Sequence, residues 1–193
     1  FAALDGMTDF SPEKIVSNPD HFDSQGNPKT GDAVALSVFL DQQENAGGLF
    51  EGIREFRDDL DRDLSLSSED IVWIPDERLH TLVFTPVKRF VSKSESKKAK
   101  RKFSIERARK ASRPTAPFGI RWTGITVGEK GDVLLQGEVE SLDLANLRNE
   151  VRRRFPKEEF RDVFVPNIVH VTLGRFKRPI GADRFEALRK RVG

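Results

Sequence analysis

Of the three histidines in the chain, two stand where an imidazole could move a proton. His80 lies in Leu79-His80-Thr81-Leu82-Val83-Phe84, and His170 in Val169-His170-Val171-Thr172-Leu173-Gly174-Arg175. Both segments read as short apolar strands carrying a single imidazole. Side chains alternate across a strand, so His170 and Thr172 project from one face while Val171 and Leu173 take the other. An imidazole beside a hydroxyl donor suits phosphate chemistry, and two such strands brought together would supply a general acid and a general base. A lone strand histidine is more often structural than catalytic. These two stand out because the pattern recurs in corresponding places of two similar halves.

The halves emerge from the elements around the histidines. Residues 33–40 form a near-continuous apolar run of strand length. After Gly47-Gly48, the residues Leu49, Ile53, Phe56, Leu60 and Leu64 fall at helical spacing, an amphipathic helix with one buried stripe. A histidine strand follows at 78–85, ended by Pro86. The order then repeats. Strands at 121–127 and 133–139 are joined by the turn Glu129-Lys130-Gly131-Asp132. Ser141 precedes, as a cap, a helix lined by Leu144, Leu147, Val151 and Phe155. The second histidine strand follows at 168–175, and a last helix holds Phe185, Leu188 and Val192. Between the halves, Ser96 to Ala111 has helical potential with poor apolar spacing. Each half alone would struggle to bury its sheet face, so the two are expected to pack together.

Composition agrees with such a fold. The 193 residues suit one domain or two small fused lobes. A third of them are charged, the mean hydropathy is −0.51, and no apolar run approaches a membrane span. Cysteine is absent, which excludes disulfides and thiolate catalysis and fits an intracellular, cytoplasmic home. The numbering opens at Phe1, which leaves N-terminal processing open. Net charge is +2, yet Lys88 to Arg113 holds twelve Lys and Arg against Glu95 and Glu106, leaving −8 on the remainder. Such a basic block is most often a solvated surface; the functional reading is attraction of a polyanion such as RNA. Residues 1–32, rich in Asp, Asn, Pro and Gly, read as an irregular segment with turns at Asn18-Pro19 and Gln25-Gly26-Asn27-Pro28. The third histidine, His21, falls there without strand context.

The paired histidine strands resemble the two-histidine phosphoesterase superfamily, which includes RNA 2′,5′ ligase-like proteins and cyclic phosphodiesterases. Its members carry His-x-Thr/Ser-x once per lobe. The resemblance covers roughly residues 33–178 and is strongest in Pro166-Asn-Ile-Val-His-Val-Thr-Leu-Gly-Arg-Phe-Lys177; Phe22 to Gly26 adds a weak flank. It implies an α+β fold of two pseudo-symmetric lobes of antiparallel sheet, with helices outside and a central groove. Lobe one would span about 33–90, the basic connection 91–117 and lobe two 118–193. The first motif departs from the pattern: Leu82 stands two after His80 where the family carries Thr or Ser, and Thr81 is one position early. Strict alternation sends Thr81 to the opposite face unless a bulge re-aims it.

What the resemblance implies is a metal-independent phosphodiesterase for 2′,3′-cyclic phosphate or 2′,5′-linked RNA or nucleotide substrates. It needs no cofactor and is expected to work as a monomer away from membranes. His80 and His170 would share acid and base work, and Thr172 would hydrogen-bond a phosphoryl oxygen. Substrate contacts are sought at Thr81, Arg121, Trp122, Arg175 and Lys177. Trp122 could stack on a base, although a core role is the commoner one. Arg175 and Lys177 sit at odd offsets from His170, which predicts the opposite face.

Other chemistries find little support. No His-x-His or His-x-x-x-His spacing suggests a zinc site. Gly47-Gly48 lacks the spacing of a phosphate loop, and no Ser sits in a nucleophile elbow. Two readings compete with catalysis. One is a non-catalytic RNA or nucleotide binding module on the same fold, motivated by Leu82 and the basic segment. The other is a protein-interaction domain with structural histidines.

Overall fold

The computed structural model describes residues 21–27, 32–42, 46–91, 105–128, 130–156 and 168–192, with Ser94 and Lys98 besides. Their elements run β1 (Asp32–Phe39), α1 (Gly47–Asp63), β2 (Ile71–Trp73), β3 (His80–Val91), α2 (Ile105–Ser112), β4 (Arg121–Val127), β5 (Asp132–Glu138), α3 (Asp143–Arg154), β6 (Val169–Phe176) and α4 (Ala182–Val192). The strands form one antiparallel six-stranded sheet in the order β1-β3-β6-β5-β4, with β2 pairing to β6 beside β3. This is the expected α+β arrangement. The units β1–α1–β3 and β5–α3–β6 repeat, and their histidine strands are neighbours.

One face of the sheet builds the core. Val133 and Leu135 of β5 and Val171, Leu173 and Phe176 of β6 meet Ile53, Leu60 and Leu64 from α1 and Phe185 and Leu188 from α4. Farther along, Val83, Phe84 and Val169 meet Ala111 and the α3 stripe Leu144, Leu147, Val151 with Phe155. The helical spacings seen in the sequence thus place their apolar residues against the buried strand positions. Among the described residues the opposite face carries no such helix stripe, and most of its strand positions there are half-buried or exposed.

The halves meet along a short seam. Thr81 of β3 pairs with Val171 of β6, β2 pairs with β6 from Trp73↔Gly174 to Ile71↔Phe176, and two arginines also bridge the halves. Arg57 of α1 donates to the Ile74 carbonyl at 2.8 Å and reaches the Leu173 carbonyl at 3.5 Å. Arg148 of α3, buried, donates to the carbonyls of Leu82 at 3.2 Å and Ile168 at 3.1 Å. Each half therefore sends one guanidinium to carbonyls on both sides of the junction. Buried carbonyls need such donors, and these are supplied where strand pairing lapses.

Several local expectations need correction. β3 continues through Pro86 to Val91, because Pro86 falls in an irregularity between the pairs Val34↔Val87 and Leu36↔Phe84. A proline is tolerated at such a bulge, where no ladder donor is required. β2 is only three residues long, too short to leave a periodicity. Leu142 rather than Ser141 holds the cap position of α3, and the Ser141 hydroxyl one residue earlier accepts from the Asp143 amide at 3.4 Å. Within the Ser96–Ala111 candidate, α2 begins at Ile105, and most earlier residues lie outside the described ones. So do the turn at Asn18-Pro19 and most of the leader, whereas Gln25-Gly26-Asn27 does turn, with Asp23 accepting from the Gln25 and Asn27 amides. The β4–β5 hairpin forms with Gly131 at φ +75.

Gly174 shows how tightly β2 seats on β6. A Cβ there would stand 2.4 Å from Trp73 Cε3 and 2.8 Å from Cζ3, closer than atoms can pack. Gly174→Ala is therefore expected to destabilise the fold by about 1–3 kcal/mol, as overpacking does. Urea unfolding measures it; an unchanged midpoint would show that the Trp73 ring is not held there.

Candidate functional site

The Thr81↔Val171 pairing decides which side chains share a face. It sets His80 across from Thr172, and Leu82 across from His170. The alternation is visible in burial: Thr81 and Val171 are 1% and 0% exposed, while the other four are half-buried or exposed. His80 and His170 thus become diagonal neighbours on the open face, about 7–8 Å apart by the geometry of paired strands. His80, His170 and Thr172, foreseen in the sequence, come together here.

A bulge adds a cation. Val133 pairs with Gly174 but Leu134 pairs with Thr172, so β6 carries one extra residue at Leu173. Leu173 and Gly174 both turn inward, and the alternation resets so that Arg175 returns to the histidine face. The odd-offset expectation for Arg175 is corrected by this bulge. Its Nε donates to Asp132 at 2.8 Å, with both side chains about a quarter exposed.

The other sequence candidates lie elsewhere. Thr81 stays on the core face, as strict alternation requires, and its hydroxyl donates to the His170 carbonyl at 2.9 Å. It can position the His170 backbone, but it does not reach the open face. Trp122 is half-buried on the core side, against Gly137 and among the apolar clusters. Arg121 sits on edge strand β4, two strands from β6, committed to Glu138 at 2.6 Å. Lys177 follows the far end of β6 and donates to the Ser68 carbonyl at 3.0 Å. These placements remove Thr81, Trp122, Arg121 and Lys177 from the immediate surroundings of the two imidazoles.

In their place the sheet register brings groups the sequence did not mark. Gln136 lies across from His170, and Leu134 across from Thr172, both half-buried. Phe39 lies across from His80 on β1, its ring centroid 5.5 Å from the imidazole. Arg148 approaches from the core side. Only a known strand order could have found these four, because none sits near a histidine in the chain.

The two imidazoles are held differently. His80 is exposed, and its Nδ1 lies 2.8 Å from the Arg78 carbonyl. A carbonyl only accepts, so Nδ1 carries the proton, and Nε2 is left to exchange one. His170 titrates below its ordinary value, first because burial disfavours its charged form. Asp132 pulls upward, whereas the positive charges of Arg148, His80 and Arg175 reinforce the depression. Its Nδ1 is buried without a hydrogen-bond partner among the described residues. No group of three or more His, Asp or Glu side chains among the described residues is placed to hold a metal ion. No helix among them is long and apolar enough to cross a membrane.

No family model and no curated protein matches this sequence. Among solved structures the chain is similar to the protein TT0787 of Thermus thermophilus. The two share 19% identity over 68% of this chain and 72% of that one, at a TM-score of 0.46.

The depressed His170 has a signed consequence. The unfolded chain binds a proton near pH 6.5 that the folded chain refuses, so stability rises with pH through the window from the folded pKa to about 6.5. Above 6.5 the contribution is complete. NMR titration is expected to give His170 a midpoint below 6.5, and Asp132→Asn should lower it further by removing the one nearby anion. A midpoint that rises in that variant would contradict the placement of Asp132.

Proposed function

We propose that this chain is a two-histidine phosphodiesterase acting on 2′,3′-cyclic phosphate or 2′,5′-linked RNA and nucleotide substrates. One observation carries the reading: His80, Thr172 and His170 occupy adjacent positions of neighbouring strands on the open face of the sheet. The resemblance of both segments to the two-histidine phosphoesterases supports the same assignment.

The environments divide the labour. Burial and neighbouring cations favour neutral His170, the form a general base requires. His80, with Nδ1–H anchored on a carbonyl, serves as the proton donor through Nε2–H in its doubly protonated form. In hydrolysis of a cyclic phosphate, water attacks phosphorus while His170 takes its proton. The bond from phosphorus to one ribose oxygen breaks, and His80 protonates that oxygen. The product is a phosphomonoester. Thr172 donates a hydrogen bond to a non-bridging oxygen, and Arg175 adds positive charge on the same face. Both proton transfers are carried by imidazoles, so this reading requires no metal. The basic stretch from Lys88 to Arg113 would draw a polyanionic substrate toward the protein.

A second reading has its own observation. Leu82 occupies the corner opposite His170, where a hydroxyl matching Thr172 would complete the symmetry. A face lacking that donor suits a binding module that holds RNA or nucleotide without turnover. It would show salt-sensitive binding, because phosphate contacts release counterions.

Phosphorus NMR of 2′,3′-cyclic mononucleotides and a cyclic-phosphate-ended RNA, with chelator present, separates the two. Turnover is expected, with His170→Ala and His80→Ala each slower by about 10²–10⁴-fold. Binding without turnover would favour the module, and turnover untouched by His170→Ala would overturn the mechanism.

A further inference from the structure

The sequence offered Trp122 as a base-stacking aromatic, but its ring is half-buried on the core side of the sheet. The open face has a different aromatic. Phe39 ends β1 and pairs with His80, on the side of β3 away from β6. Three large apolar side chains are exposed among the described residues, and Phe39, at 37%, is the aromatic one. Scattered surface apolar groups are ordinary. What distinguishes this one is its neighbour, the His80 ring at 5.5 Å and 46°.

The spacing fits a nucleoside. A phosphate between His80 and His170 lies between β3 and β6, about one and a half strand spacings, or roughly 7 Å, from β1. That is comparable to the reach of a ribose carrying its phosphate on one side and its base on the other. Thr172 and Arg175 lie on the β6 side of the phosphate, so the sheet is polar at one end of the ligand and aromatic at the other. Leu82 also takes on a purpose. It stands beside His80 on β3, across from Ser37 of β1, and extends the apolar surface toward the phosphate.

We infer that Phe39, beside His80 at the β1 rim, is the platform on which the substrate's nucleobase stacks, with Leu82 flooring the ribose. This rests on the phosphodiesterase reading for the position of the phosphate and deepens it by naming the side chains that hold the nucleoside part. The ligand is a nucleoside 2′- or 3′-phosphate rather than a phosphodiester without a base. Stacking tolerates any base, so the platform selects for a planar ring and not for one sequence.

Calorimetry with the full chain tests the platform, using adenosine 2′-monophosphate and inorganic phosphate as probes, each with wild type, Phe39→Ala and Phe39→Trp. The nucleotide is expected to bind wild type at least about tenfold more tightly than phosphate. Phe39→Ala should lose that advantage while phosphate affinity holds, and Phe39→Trp should restore it. A tenfold advantage that survives Phe39→Ala overturns the platform and leaves the phosphodiesterase reading standing. Equal affinity of both probes for wild type also overturns it. Failure of both probes to bind, or nucleotide binding indifferent to His170→Ala, would overturn both.

Discussion

The pairing of Thr81 with Val171 sets how His80, Leu82, His170 and Thr172 stand to one another on the open face. It is a brief contact. On one side the pairing with β6 passes from β3 to β2, with Arg57 at that step, and on the other Arg148 joins the halves. Hydrogen bonds from a charged donor contribute about 1.5–3 kcal/mol each, more than neutral ones. Burying Arg148 is costly, and desolvation pulls its pKa below the usual arginine value, with Arg152 adding repulsion. Loss of that side chain would leave the Leu82 and Ile168 carbonyls without their donor. A one-residue slip at this seam would send His80 to the core and Thr81 to the surface. The Thr81 hydroxyl on the His170 carbonyl locks the register from the buried side.

That constraint brings one imidazole from each lobe onto a single face. Each lobe supplies one imidazole, and only the seam makes them neighbours. It also makes their electrostatics mutual, because a proton on His80 opposes a proton on His170. The proposed division into acid and base rests on giving two identical side chains different surroundings. His80 is exposed on a carbonyl anchor, whereas His170 sits half-buried among cations.

Much of the fold was legible in the chain. The stripe Ile53, Leu60, Leu64 and its counterpart Leu144, Leu147, Val151 announced two helices, and the alternation around His170 announced its strand face. Those signals are local. The unread parts depend on contacts between distant segments. Extra residues at Leu173 and along β3 are invisible in a pattern of apolar positions, yet one of them turns Arg175 toward the histidines. Phe39 and Gln136 belong to the site only through strand order. Trp122 looked equally suited to a groove or a core, and the small Gly137 opposite it receives its ring on the core side.

The asymmetry between Thr172 and Leu82 gives the face a polar and an apolar corner. A symmetric pair of hydroxyls would hold phosphate alike from both lobes. In the proposed site a phosphate would be held mainly from β6, leaving the β1–β3 side for the organic part of a ligand.

The most direct test of a shared histidine site is nitrogen NMR of both imidazoles during titration with a nucleoside 2′-monophosphate. Resonances of His80 and His170 are expected to shift together along one binding isotherm. Movement of only one ring, or two isotherms with different affinities, would contradict a single phosphate site built across the seam.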